Sequence, residues 1–312
     1  MKAPDKKRPE ERSLPRAITP MSMPIYARDS ALRFPLAQPE LLRLVRDALD
    51  EDRAFNDITT IATVVSDRRA RASFVARDSG TVAGMVLSIE AFRLLDPKVA
   101  IRVDREDGWR VAGGESLFHV TGHARALLGA ERVALNFAQH LSGIATLTAR
   151  FVDLVEGTGA RIMDTRKTTP GWRSLEKYAV RAGGGFNYRM DLADGVLIKD
   201  NHLAACDGDV AIAVKRAREM APAGSEIEVE CEAPAQVKAA VDAGAHIVLL
   251  DNMPVDAMRE SVAIAKGRAM TEASGGITIH TVRAIAETGV DRISIGALTH
   301  SAPALDLALD FD

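Results

Sequence analysis

Cysteine is nearly missing from this chain. Cys206 and Cys231 are the only two, their spacing makes no metal-ligand pair, and no disulfide framework can be built on them. A reducing cytoplasm is the expected location. An excess of one charge is missing too: 40 Lys and Arg stand against 43 Asp and Glu, for a net charge of -3. That balance excludes a general nucleic-acid or membrane-surface binder. No apolar run approaches the length of a membrane span. The opening stretch, MKAPDKKRPEERSLPRAITPMSMP, is basic and rich in proline but has no apolar segment of the kind a secretory signal needs,. Residues 1–37 read as a disordered tail, with a basic arm that binds a partner as the sharper alternative.

What is present is enough chain, 312 residues, for a large core and two domains,. Order is expected to begin near Gln38, where Leu41, Leu42, Val45, Ala48 and Leu49 recur at helical spacing,. A turn signal at Asn56-Asp57 precedes the β-branched residues Ile58, Thr59 and Thr60. From Arg71 to Gly122 the pattern suits short strands with one helix over 88–95, the apolar stretch 81–87 reading as one of the strands. Residues 123–157 read as helical, broken near Ser142-Gly143. Past Gly159 apolar strand candidates fall at 162–163, 196–198, 227–229, 247–250, 269–271 and 293–295. Helical patterns separate the later ones, at 210–220, 235–243, 255–265 and 281–288. Alternation at about 20 to 30 residues per unit predicts a parallel sheet with helical crossovers. The strands end in Asp164 and Arg166, Lys199, Glu230, Asp251, Glu272 with Ser274, and Gly296. Such an even distribution favours a β/α barrel, whose loops converge on one face, over a doubly wound sheet with a single switch point. Six strands rather than eight make the barrel small or incomplete.

The window from Asp164 to His202 carries Arg166, Lys167, Arg173, Lys177, Arg181, Arg189 and Lys199 between turn-forming glycines. Lys177 and Arg181, taken alone, read as a solvated helix face. Arg166, Lys167 and Lys199 instead follow directly on apolar strands, which predicts a cleft for a polyanion. Glycines after the last two strands, in Ala273-Ser274-Gly275-Gly276 and Ser294-Ile295-Gly296, suit a phosphate site built from backbone amides. Alternation places Glu228, Glu230 and Glu232 on one side of their strand, with the barrel interior as their candidate location. Acids in a cationic phosphate pocket can hold a divalent metal, bind sugar hydroxyls or stabilise an oxocarbenium ion. Together these parts point to transfer of a phosphorylated ribosyl group.

The motifs DTRKTTPG, EKYAV, GGG, LIKDNH, EVE, LLDN, EASGGI and SIGALTHS, with Glu131-Arg132, Ala134-Leu135-Asn136 and Ser142-Gly143-Ile144-Ala145-Thr146 before them, resemble those of the quinolinate phosphoribosyltransferases. The likeness runs from about Gln38 to Phe311. It implies an α/β fold of the type II phosphoribosyltransferase arrangement: an N-terminal α/β sandwich domain over 38–134 and an incomplete β/α barrel over 135–302. Residues 303–312 are a segment that can return to the first domain. The resemblance further implies reaction of quinolinate with phosphoribosyl pyrophosphate, giving nicotinate mononucleotide, pyrophosphate and CO2, with Mg2+. It implies a homodimer with shared active sites, some members forming hexamers. Arg166, Lys167, Arg189 and Lys199 would grip carboxylates and phosphates, and Arg132 would come from the neighbouring subunit. Glu230 and Asp251 would face the ribose and the metal. Ser274, Gly275, Gly276, Gly296 and His300 would cradle the 5′-phosphate. Lys167, Lys199, Glu230 and Asp251 form the expected catalytic set.

One position departs from the family pattern. Asn-His-Arg after the glycine triplet is here Asn187-Tyr188-Arg189, so a possible cation in the quinolinate pocket becomes a neutral phenol. Three other readings compete. A transferase for another pyridine carboxylate would need fewer cations. A barrel aldolase would need a desolvated Lys199, whose neighbours here keep it charged. A non-catalytic metabolite-binding paralogue would have lost more of the charged site.

Overall fold

The computed structural model describes residues 32–312. The tail expected over 1–37 thus falls mostly outside the described residues, and its final part is packed rather than loose. Leu32, Phe34 and Leu36 lie half-buried on the core, with the Phe34 ring edge-on to Tyr178 at 5.3 Å.

Helix α1 (Gln38–Glu51) forms where the apolar spacing placed it, burying Leu41, Val45 and Leu49 on one face. After a 3-10 turn (Ala54–Asn56), the β-branched stretch is helix α2 (Ile58–Thr63), not strand. Asp57 decides this, because its carboxylate accepts the Thr60 amide at 3.1 Å and caps the first turn,. Strand β1 (Arg69–Ala76) follows. The apolar stretch 81–87 then divides. Gly80 and Thr81 form the short strand β2 (Gly80–Thr81), and helix α3 (Met85–Leu95) begins soon after. Asp107, buried and distant in sequence, accepts the Gly84 and Met85 amides at 2.9 and 3.1 Å and so satisfies the helix start from outside,. Strands β3 (Ala100–Val103), β4 (Arg110–Val111) and β5 (Ser116–His123) complete this half, with β2 pairing β4 and β5 lying antiparallel between β1 and β3. Phe74 and Phe118 stack at 4.5 Å under the sheet, both fully buried.

Helix α4 (Ala124–Leu154) runs unbroken for 31 residues, against the expected break at Ser142-Gly143. Those two residues are small because other backbone passes close by, not because the helix ends. A Cβ on Gly143 would lie 2.2 Å from the Pro303 carbonyl oxygen. Ser142 Oγ accepts the Ala83 amide at 2.9 Å, and Thr146 Oγ1 accepts that of Thr81 at 2.8 Å. The helix is therefore stitched to the first half along its middle.

The second half alternates as expected. It comprises β6 (Arg161–Met163), α5 (Arg173–Ala182), β7 (Val196–Ile198), α6 (Asp200–Ala204), α7 (Val210–Met220), β8 (Ile227–Cys231), α8 (Pro234–Ala243), β9 (Ile247–Asp251), α9 (Val255–Ala265), β10 (Met270–Ser274), α10 (Val282–Ala286), β11 (Arg292–Ser294) and α11 (Ala297–His300). All six strands are parallel, in the order β6-β11-β10-β9-β8-β7. The first strand joins the last, as in a closed barrel, but β6 and β7 do not pair. The barrel has one open seam, and Phe186 makes a single parallel bridge to Met163 there. Finally β12 (Leu307–Phe311) crosses back to the first half and pairs antiparallel with β1, Ala72 opposite Phe311, giving a sheet of order β12-β1-β5-β3.

Candidate active site

The parallel strands all point their C-terminal ends to one face, so the residues just after them share a mouth. Lys199 follows β7, and its ammonium meets the carboxylate of Glu230 near the end of β8. Lys199 stays largely exposed while Glu230 is mostly covered. Asp251 ends β9, half-buried, and accepts the Asn252 side-chain amide at 2.7 Å. Asn252 sits in the left-handed region at φ 52° and its backbone amide donates to the Ser274 carbonyl at 2.9 Å. This crowding explains the adjacent glycine. Gly275 adopts φ 91°, and a Cβ there would lie 2.3 Å from Asn252 Oδ1. On the next strand a Cβ at Gly296 would fall 3.0 Å from Lys167 Cδ and 3.2 Å from His300 Nε2. Lys167, from the loop after β6, is thereby brought against Gly296 and His300, residues far from it in sequence. Thr299 Oγ1 secures that loop by donating to the Lys167 carbonyl at 2.7 Å.

Arg166 and Arg189 come from the two segments flanking the open seam. Each has a buried Nε with no partner among the described residues. The Arg189 guanidinium lies 5.4 Å from the Tyr188 ring centre and donates to the Gly195 carbonyl at 3.2 Å. Buried donors without acceptors are costly unless something else supplies one. Arg132 stands apart from this group within the chain, on the exposed face of α4.

Below the mouth the barrel interior is polar. Glu228 is fully buried and accepts the Tyr188 hydroxyl, so the phenol is engaged by the protein's own carboxylate. Glu230 also turns inward, but Glu232, expected on the same side, lies past the end of β8 and is exposed. Burial pushes the Glu228 carboxyl up, opposed by the Tyr188 hydrogen bond and by Arg189 and Arg292. Burial, with Glu228 nearby, pushes Glu272 up to about 8. Burial and Glu228 likewise raise Tyr188, which keeps its proton and donates it.

The reading of Lys177 as a solvated cation is overturned. Its side chain is 2% exposed and contacts Asp164, itself 0% exposed, at 2.5 Å. Burial raises the Asp164 carboxyl and lowers the Lys177 ammonium, each partner opposing the other's shift. The neighbouring residues of α5 are also buried and partnered. Glu176 accepts the Thr169 amide at 3.1 Å and meets His140 Nε2 at 3.0 Å, and the Tyr178 hydroxyl donates to Asp107 at 2.7 Å. Charge alone hid this hub in the sequence. The helix as a whole is rich in polar residues, Arg173, Ser174 and Arg181 among them, so nothing local set Glu176, Lys177 and Tyr178 apart.

Comparisons with known proteins bear on the family and the fold. A family model described as quinolinate phosphoribosyl transferase, C-terminal domain, matches residues 144–310, and one described as the N-terminal domain matches residues 57–142. The chain is 44% identical over 271 residues to the probable nicotinate-nucleotide pyrophosphorylase (carboxylating) of Bacillus subtilis, covering 87% of this chain and 93% of that protein. It is 44% identical over 274 residues to the Mycobacterium leprae nicotinate-nucleotide pyrophosphorylase (carboxylating), covering 85% and 95%. The solved nicotinate-nucleotide pyrophosphorylase of Francisella tularensis superposes with a TM-score of 0.83 at 38% identity, covering 90% of this chain and 99% of that one.

Proposed function

The chain belongs to the quinolinate phosphoribosyltransferase family, and from that premise we infer how its own residues carry the reaction. The enzyme transfers the phosphoribosyl group of phosphoribosyl pyrophosphate to quinolinate with loss of CO2, giving nicotinate mononucleotide and pyrophosphate for NAD biosynthesis. The observation that carries the site assignment is that Arg166 and Arg189, on the two sides of the open seam, each bury an Nε donor without a partner among the described residues. Two guanidinium groups beside a mouth lined with Lys167 and Lys199 suit a rigid dianion such as quinolinate.

In this reading Arg166 and Arg189 hold the pyridine carboxylates, with Lys167 and Lys199 between them and the phosphates. Ser274, Gly275, Gly276, Gly296 and His300 take the 5′-phosphate, a role supported by the close packing of Lys167 on Gly296. The ring nitrogen attacks the anomeric carbon as pyrophosphate leaves. Glu230 and Asp251 stabilise the positive charge that develops on the ribose. The positive charge of the quaternised nitrogen then stabilises the electron pair that stays on C2 when the adjacent carboxylate departs as CO2, and that pair takes up a proton. No covalent enzyme intermediate is needed. Lys199 supports this, for it stands 47% exposed against Glu230, not in the desolvated pocket an aldolase lysine requires.

Magnesium fits as a metal delivered by its substrate. Among the described residues no group of three or more His, Cys, Asp or Glu could hold a metal ion. Glu230 and Asp251, together with substrate phosphates, would supply the one- or two-carboxylate set that Mg2+ favours. When bound there, it would neutralise charge on the departing pyrophosphate. The exposed position of Arg132 supports a homodimer in which this residue completes the partner's site. Two unpaired cysteines, Cys206 and Cys231, suit a cytoplasmic location,. No helix among the described residues is long and apolar enough to cross a membrane.

The test is a mass-resolved assay of purified protein with magnesium, phosphoribosyl pyrophosphate and quinolinate, with nicotinate run in parallel. Nicotinate mononucleotide is expected from quinolinate alone. No turnover of quinolinate, restored by Tyr188→His, would show that Tyr188 is not tolerated in the pocket.

A further inference from the structure

Residues 186–190 carry Arg189 to the mouth with almost no regular structure of their own. Phe186 makes one bridge to Met163, and the residues after it are neither strand nor helix. A free loop would scatter the guanidinium over many positions and lose that freedom at every binding event. This one is tied down by a buried ion pair. The Asp164 carboxylate accepts the Tyr188 amide at 2.8 Å, the Asn187 side-chain amide at 2.6 Å and the Lys177 ammonium at 2.5 Å. Lys177 donates a second hydrogen bond to the Tyr188 carbonyl at 2.7 Å, and its own carbonyl accepts from Asn187 at 2.9 Å. Both peptide groups of Tyr188, the residue directly before Arg189, are therefore fixed. Asp164 also stands two positions before Arg166, so one carboxylate governs both arginine-bearing segments. Arg173 reinforces the link, donating to Thr168 Oγ1 at 3.1 Å and to the Met190 carbonyl at 2.9 Å.

We propose that Lys177 and Asp164 are positioning residues for quinolinate binding: their buried contact holds Arg189 at a set separation from Arg166, and neither touches the substrate. Stability alone does not account for the pair, because well-packed apolar residues fill such a place equally well. An apolar pair cannot, however, accept the Tyr188 amide while donating to its carbonyl. The proposal rests on the quinolinate-binding role given to Arg189 above.

A double-mutant cycle tests it. Wild type, Lys177→Met, Arg189→Ala and the double variant are assayed for KM of quinolinate and, separately, of phosphoribosyl pyrophosphate. Each single variant is expected to raise the quinolinate KM about 10-fold or more. The KM of phosphoribosyl pyrophosphate should move less than about threefold for Lys177→Met. The double variant should be no worse than Arg189→Ala alone, because Lys177 acts through Arg189. If Lys177→Met does not fold, Asn187→Ala takes its place in the cycle, since Asn187 is exposed yet bridges Asp164 and the Lys177 carbonyl. Losses that multiply in the double variant, equal shifts in both KM values, or an unchanged quinolinate KM in the first variant overturn the proposal. An Arg189→Ala enzyme with unchanged quinolinate KM overturns instead the binding role of Arg189.

Discussion

Two lysine–carboxylate contacts flank the barrel mouth, alike in chemistry and opposite in setting. Lys177 and Asp164 are 2% and 0% exposed, whereas Lys199 and Glu230 are 47% and 11% exposed. The first pair is out of water. The Asp164 carboxylate also accepts from Asn187 and the Tyr188 amide, and the Lys177 ammonium also donates to the Tyr188 carbonyl, so the pair is turned to the protein and not to a ligand. The second is open on the lysine side, where a phosphate can displace or share the contact. Depth, not charge, separates structure from chemistry here.

Breaking the buried pair should have the largest effect on folding. Lys177→Met leaves Asp164 as an uncompensated carboxylate in the interior, a loss of about 3–5 kcal/mol. Denaturant unfolding measures it, and a loss below 1 kcal/mol, on the order of an exposed pair, would erase the contrast. The mouth pair should fail in the opposite way. Glu230→Gln is expected to lower kcat by about 100- to 1,000-fold with a melting temperature close to that of the parent, checked by steady-state kinetics beside a thermal scan. Equal damage to activity and stability there would mean that Glu230 is part of the scaffold.

Smaller effects sharpen the boundary between the two settings. Tyr188→Phe removes the donor from Glu228, whose other oxygen already lacks a partner among the described residues. An unsatisfied buried acceptor costs about 1–3 kcal/mol, and unfolding of the variant at pH 7 reads this directly. The last test reads a slope rather than a size and concerns Glu272, whose carboxyl is raised from 4.5 to about 8. Between those values the folded protein keeps a proton that the unfolded chain has released. The associated stability is therefore complete below about 4.5 and is lost as the pH climbs through about 8,. Glu272→Gln should flatten this part of the stability profile; an unchanged slope would place the titration on another group.

Much of this could be read from the residues in order. The parallel strands show themselves as short apolar stretches, clearest in β9, whose first four residues are all buried, and weakest in β10, which is centred on Glu272,. Lys199, Glu230, Asp251, Ser274 and Gly296 were legible as strand-end residues for the same reason, since parallel strands deliver their ends to one face. The failures share a cause. Gly143 reads as a helix break until the Pro303 carbonyl is seen against it. Asp57 turns a β-branched stretch into helix α2 through one cap. Lys177 resembles any surface lysine until Asp164 is placed beside it. Each depends on a contact that a local pattern does not encode.

The return of β12 to β1 has a consequence for synthesis. During translation, β1 emerges early but its outer neighbour appears only after all six barrel strands have been made. Until then the nascent sheet presents β1 as a bare edge, with unpaired amides and carbonyls open to any passing strand. The long delay makes this the point in the life of the chain where wrong pairing with a second copy competes with the native partner. The two halves of the enzyme, separate in architecture, are thus bound to a single schedule.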